Sequence, residues 1–248
     1  MDADKHYLLE ARLTPLLRSA GILTLTDLCT RLRSRTSAHL TRQVMEALTT
    51  NETLFFRDMG PFEALQHRLL PEFAASLPET QPLKVWSAAA STGQEAYSIA
   101  MLLHEHGWQN RQTNILGTDI SEHVLRVARA GKYVQFEVNR GLPAKYLVKY
   151  FTREGIDWLV KPEIMKMVDF RQFDLRQPTS ALGRFHIIFC RNVLIYFDLE
   201  TRNKILNQLW SSLDPGGYLI LGGAESILHL HDRFERIAHS GTALYRKR

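Results

Sequence analysis

Apolar and polar positions change their period along this chain, and the change divides it. Over residues 4 to 50 the apolar residues recur at helical spacing. Leu9, Leu13, Leu16 and Leu17 form one stripe that ends near Gly21. A second short helix is predicted over Leu25 to Leu32, and a third from Ser37, with Leu40, Val44, Ala47 and Leu48 inward. From Lys84 onward short apolar runs alternate with helical segments. Lys84 to Ala89 reads as a strand, and from Tyr97 the residues Ile99, Met101, Leu102 and Leu103 take up helical spacing. Thr113 to Ile120 is the next strand, with Ser121 placed to cap a helix over Glu122 to Ala130. Phe185 to Asn192 is almost continuously apolar, as a strand covered on both faces must be.

The rhythm breaks between Lys132 and Asp169, where Gly141, Pro143, Gly155 and Pro162 separate short β-prone pieces such as Trp158-Leu159-Val160. This stretch is expected to be an inserted, mostly antiparallel lobe. Val168 to Leu175 returns to the sheet, Leu199 to Leu213 is a helix, and Tyr218 to Leu221 is a further strand. Phe234 to Ala238 and Thr242 to Tyr245, parted by Ser240-Gly241, form a closing hairpin. The sum is an α/β chain: an open, doubly wound, seven-stranded Rossmann-like sheet with an N-terminal helical domain over residues 1–60 and one insertion over about 132–169.

Composition changes this picture little. The apolar share of 45% and charged share of 23% are those of a globular domain, and no apolar run approaches the ~18 residues of a membrane span. The charged start MDADKHYLLEARL is unlike a secretory signal, and Cys29 and Cys190 make no disulfide framework, so a reduced, cytoplasmic chain is expected. The net charge of +5 suggests an acidic partner. Arg31, Arg33, Arg35 and Arg42 carry no acid among them, and they serve as either a docking face or a solvated one. His104/His106 and His229/His231 are i, i+2 pairs, which do not face each other on a helix, so no metal spacing is present.

Candidate chemistry gathers at the joint between Ala89 and Gln94, built from Ala, Ser, Thr and one Gly. A strand, a small-residue turn and a helix start make a ligand site in open α/β sheets. A single Gly also suits an ordinary buried turn. Asp119 ends the second strand, somewhat beyond the ~20-residue spacing at which such folds place a carboxylate on ribose hydroxyls; helix capping is its competing role. In TTNETLFFRD (49–58), Asn51 or Thr53 is placed to cap a helix and Phe55-Phe56 to pack inward. Arg57 beside them requires a partner if buried.

The motifs TTNETLFFRD, VWSAAASTGQEAYSIAM, GTDIS, RGLPAKYLVKYF, FCRNVLIYFD and LDPGGYLILGGAES follow one another between residues 49 and 226. In this order they resemble the CheR-type chemoreceptor glutamate methyltransferases. The resemblance implies an S-adenosylmethionine-dependent methyltransferase domain over 61–248, acting on glutamates in the cytoplasmic helical methylation region of chemoreceptors, as a monomer. It implies that Asn51, Thr53 and Arg57 contact cofactor, with Arg57 near the point of transfer. Ala90 to Glu95, with Gly93, would hold the methionine part and Asp119 the ribose. Asp174 and Leu175 would take the adenine, Arg191 and Asn192 would line the remaining pocket, and Tyr196 would stand beside the methyl group. A basic face of the helical domain, with Lys5, Arg12, Arg18, Arg31, Arg35 and Arg42 as candidates, is implied to meet the receptor.

Three departures accompany the resemblance. Gln94-Glu95-Ala96 replaces the family's Glu-Glu-Pro while keeping Glu95. The helical domain starts late, and Pro15 interrupts its pattern. FTREGIDWLVKPEI (151–164) is a few residues shorter than in relatives that grip a receptor's C-terminal pentapeptide, which implies independence from that tether. Two other readings compete. Arg-Asn-Val-Leu-Ile-Tyr sits where nucleic-acid amino-methyltransferases carry Asn/Asp-Pro-Pro-Tyr, yet the two prolines and any aromatic-basic stripe are missing. A non-catalytic cofactor-binding module is the other; no motif residue is visibly disabled.

Overall fold

The structure, a computed structural model, describes residues 6–34, 38–48, 51–111, 113–227, 231–239 and 241–248. Contacts divide the chain into two units, Met1–Asn51 and Glu52–Arg248. In the first, helices His6–Ser19, Leu25–Arg33 and Ala38–Leu48 bury Leu13, Leu16, Ile22, Leu28, Leu40 and Val44 in a small core of their own. Pro15 does not break the first helix. Its ring removes one backbone donor, and Thr14 Oγ1 donates to the Glu10 carbonyl one turn back. Thr24 caps the second helix by accepting from the Asp27 N–H.

Among its described residues the second unit contains ten strands: β1 Leu83–Ala88, β2 Thr113–Asp119, β3 Lys132–Val134, β4 Phe151–Glu154, β5 Asp157–Val160, β6 Val168–Gln172, β7 Phe185–Cys190, β8 Leu213–Leu221, β9 Phe234–His239 and β10 Thr242–Lys247. Seven form one sheet in the order β6-β2-β1-β7-β8-β10-β9. The first five of that order are parallel, and β10 and β9 close it as the expected antiparallel hairpin. Side chains alternate strictly between its faces. Val85, Ile187 and Phe189 enter one core layer; Trp86, Ile188 and Cys190 enter the other. From β1 the chain winds outward to β2 and β6, then returns to β7 on the opposite flank of β1. The order therefore reverses between β1 and β7, which opens a crevice beyond their C-terminal ends.

The insertion is more helical than its sequence pattern predicted. Its sheet, β3-β5-β4, is antiparallel. Around it lie the helices Gln135–Asn139, Ala144–Tyr150 and Pro162–Met165. Leu142, Tyr146 and Tyr150 are buried at four-residue spacing, the helical signal behind the second of these.

Residues 51–58 form no helix, so neither Asn51 nor Thr53 acts as a cap; the next helix begins at Gly60. Phe56 and Asp58 instead adopt left-handed conformations, φ 51° and 54°. That strain is offset by burial of both phenylalanines, roughly 1.5–3 kcal/mol each. Phe55 meets Tyr133 and Phe151 edge-on, Phe56 stacks on Tyr146, and the Phe56 N–H donates to Ser98 Oγ at 3.0 Å. Gly141 lies so close that a Cβ there would fall 2.0 Å from the Phe55 carbonyl oxygen.

Candidate functional site

Two loops face each other across the crevice. The first follows β1, and its Ala89, Ser91 and Gly93 all have positive φ, at 69°, 50° and 96°. For the two non-glycines this conformation is costly and needs support. Ala90 N–H donates to the Thr118 carbonyl at 2.8 Å, Ser91 N–H to Asp119 Oδ2 at 2.9 Å, and Tyr133 hydroxyl to the Thr92 carbonyl at 2.7 Å. At Gly93 a Cβ would sit 2.9 Å from that of Ala128, so the loop lies directly on the helix Glu122–Ala130.

Asp119, 6% exposed, ends β2 beneath this loop. Its Oδ1 accepts from Ser121 N–H at 3.0 Å. Burial pushes its carboxyl above the ordinary value, against the lowering effect of the backbone N–H groups of Ser121, Ser91 and Ile120. The helix-capping role falls to Ser121, whose hydroxyl accepts from Val124 N–H. A carboxylate has about four acceptor positions, so Asp119 retains capacity for a ligand's hydroxyls.

The second loop follows β7. Arg191, its side chain 1% exposed, reaches Glu95 Oε2 and Asp58 Oδ2, each at 3.0 Å, and the Arg57 carbonyl at 2.7 Å. Glu95 accepts in turn from Ser87 Oγ at 2.7 Å. Two carboxylates thus balance one buried guanidinium, and three separate motifs meet at it. The Arg57 guanidinium donates to the Glu52 carbonyl at 3.0 Å, which supplies the partner its position demanded. Asn192 is left-handed, φ 57°, and its N–H goes to Glu225. Cys190 is no nucleophile: burial, then the nearby charges of Glu225 and Glu95, push its thiol well up. The turn Leu194–Tyr196 ends in Tyr196, 57% exposed beside exposed Ile195 and Leu199.

Beyond β6, Asp174 is clasped by the Arg176 guanidinium and backbone N–H, and Leu175 is buried. Burial opposes ionisation of Asp174, but Arg176 outweighs it and holds the carboxyl below its ordinary value. Thr53 lies half-buried ahead of Phe55, while Asn51 ends the first unit. In that unit Arg12, Arg18, Arg31 and Arg42 are exposed, and Arg12 Nη1 donates to the Leu48 carbonyl at 2.8 Å. Lys5 and Arg35 lie outside the described residues. The residue that sequence reasoning missed is Glu225. It lies within a quoted motif, but its partners are backbone groups that leave no mark on the sequence.

Residues 51–242 match the family described as CheR methyltransferase, SAM binding domain. The chain belongs to the CheR methyltransferase family. Relatives agree over almost its whole length. It is 41% identical to "Chemotaxis protein methyltransferase Cher2" of Pseudomonas putida, over 98% of this chain and 90% of that one. Identity to "Chemotaxis protein methyltransferase" of Vibrio parahaemolyticus is 42%, over 98% and 89%. The corresponding protein of Borreliella burgdorferi is 36% identical, over 90% and 81%.

As a CheR methyltransferase the chain uses S-adenosylmethionine, and the crevice fits that cofactor. Among the described residues its deeply buried cation, Arg191, is matched by the carboxylates of Glu95 and Asp58. Asp119 keeps acceptor capacity beneath the loop after β1. When bound, the cofactor supplies a methyl group activated for displacement.

Proposed function

We propose that this enzyme methylates glutamate side chains of bacterial chemoreceptors, yielding glutamate methyl esters and S-adenosylhomocysteine. The observation that carries the reading is a crevice rich in positioning groups in which, among the described residues, no base stands poised for proton removal. A glutamate, with a pKa of about 4.3, is already ionised at neutral pH. The chain's task is to place that carboxylate in line and exclude its water. Arg57 and Tyr196 orient the acceptor at the mouth. Asp119 takes the ribose hydroxyls, Ala90 to Glu95 take the methionine end, and Asp174-Leu175 take the adenine. Thr53, Arg191 and Asn192 complete the cofactor's surroundings.

The exposed arginines of the first unit, Arg12, Arg18, Arg31 and Arg42, meet the methylation helices of the receptor. Independence from a pentapeptide tether is supported by the hairpin joining β4 to β5. Glu154 pairs directly with Asp157, leaving a two-residue turn of Gly155 (φ 62°) and Ile156 with no extension. No described helix is long and apolar enough to cross a membrane, and we place the enzyme in the cytoplasm with its substrate.

The test is transfer of labelled methyl to membranes bearing chemoreceptors, with RNA and DNA as parallel acceptors and Tyr196→Phe and Arg57→Ala alongside. Alkali should release the label as methanol, and each variant should lose about 10²-fold in rate. Label on nucleic acid only, or none with cofactor still bound, would overturn the reading. In the same series a receptor pentapeptide titrated by calorimetry should give no heat; micromolar binding would overturn tether independence.

A further inference from the structure

Glu225 lies on the loop after β8, outside every role the resemblance assigns, and it collects an unusual set of donors. Oε2 accepts from the N–H groups of Asn192 and Gly222, both at 2.8 Å. Oε1 accepts from Val193 at 2.9 Å and Leu194 at 2.7 Å. Four backbone donors thus fill the roughly four acceptor positions of one carboxylate. No cation shares it: the described ion pairs of the site go to Arg191, not to Glu225.

The surroundings are built to keep the carboxylate there. Glu225 N–H donates to the Gly222 carbonyl at 2.9 Å, which turns the loop back on itself. Ile227 is buried in the same core layer as Leu194 and anchors the far end. A Cβ on Gly222 would fall 2.8 Å from Glu225 Oε2 and 3.0 Å from the Asn192 nitrogen, so only glycine leaves room for the clamp. What the clamp holds is the turn from β7 into Tyr196, including Asn192 in its left-handed conformation. Three consecutive N–H groups on one anion fix the turn's direction. Tyr196 has no comparable restraint of its own, since its side chain is largely exposed.

We propose that Glu225 is a positioning residue for methyl transfer: its carboxylate fixes the turn from Asn192 to Tyr196 and so aims Tyr196 at the reacting atoms. This rests on the methyl-transfer reading above only in its kinetic arm. Glutamine at 225 keeps the shape, but its NH2 faces two N–H donors in place of an acceptor.

The experiment compares wild type with Glu225→Gln, and with Gly222→Ala, which displaces the same carboxylate from the other side. Amide hydrogen exchange across residues 192–196 should speed up by ~10-fold or more in both variants, with exchange in β1 and β2 unchanged. In receptor methylation kcat should fall about 10- to 100-fold, and S-adenosylhomocysteine affinity should fall by less. In a Tyr196→Phe background Glu225→Gln should cost at most about 3-fold more, because its effect passes through that hydroxyl. Unchanged exchange in a folded variant overturns the proposal. So does a kcat loss equally large with and without the Tyr196 hydroxyl, which would mark a merely structural role. Should Glu225→Gln not fold, Gly222→Ala carries both readouts. A wild-type chain that labels no receptor counts against the substrate reading, while the exchange arm still decides whether the clamp exists.

Discussion

The two loops facing the crevice are held by opposite means. The one after β1 is braced by hydrogen bonds with no ion pair among those described: small residues in left-handed conformations, a carbonyl of β2, a tyrosine hydroxyl, and the Asp119 carboxylate, which accepts from backbone N–H groups. The one after β7 is braced by charge, with Arg191 gripped by Glu95 and Asp58 and the next turn gripped by Glu225. The difference follows from what each must do. Under the proposed function the loop after β1 takes the cofactor's methionine end, which calls for close approach and spare acceptors. The loop after β7 would stand beside the sulfonium, where rigidity without an unmatched cation is needed, and the Arg191 ion pairs and the Glu225 clamp are both closed within the protein.

Arg191 is where that contrast breaks most visibly. Removing one member of a buried ion pair leaves the other charged and desolvated, at a cost of about 3–5 kcal/mol. Glu95 is only 12% exposed, whereas Asp58, 60% exposed, is readily rehydrated. Arg191→Ala is therefore expected to lose several kcal/mol in urea unfolding and to release Arg57 and Asp58 from the site. Asp58→Ala should lose under about 1 kcal/mol, as exposed pairs do. Equal losses would mean that Arg191 is held by packing and not by Glu95.

The same contrast explains what the sequence revealed. Most strands of the main sheet, the closing hairpin, the Ser121 cap and the place of Asp119 at a strand end were all legible, because each depends on period or on position relative to a strand end. The Phe55–Asp58 loop was not. Its left-handed Phe56 and Asp58 are stabilised by partners far along the chain, among them Ser98, Tyr146 and the bare backbone of Gly141. Arg57 was visibly in need of a partner, but a carbonyl five residues back cannot be read from letters. Glu225 was hidden for the same reason. In the insertion the four-residue spacing of Leu142, Tyr146 and Tyr150 was present, but glycines and prolines on either side masked it.

Asp119→Asn separates holding a loop from holding a ligand. The amide keeps one acceptor for a backbone N–H and removes a charge that burial disfavours, so stability should move by no more than about 1–2 kcal/mol. The ribose contact proposed for Asp119 loses an acceptor, and S-adenosylhomocysteine should bind ~10-fold or more weakly by calorimetry. If stability collapses while affinity in the folded fraction is kept, Asp119 is a brace only, and the two loops are more alike than their chemistry suggests.

The smallest effect belongs to Asp174 and Arg176 at the rim beyond β6. The folded carboxyl sits below its ordinary value, so its contribution to stability is complete above the unfolded pKa of about 3.9 and drains away as pH falls through the folded one. Arg176 is about half exposed, and solvent screening limits the contribution to under about 1 kcal/mol. Wild type should therefore exceed Arg176→Ala in urea stability at pH 6, and the two curves should converge as pH falls well below the unfolded carboxyl value of about 3.9. A gap that persists at low pH would show that Arg176 acts through its methylene stem. The rim would then be held by packing, unlike the loop that follows β7.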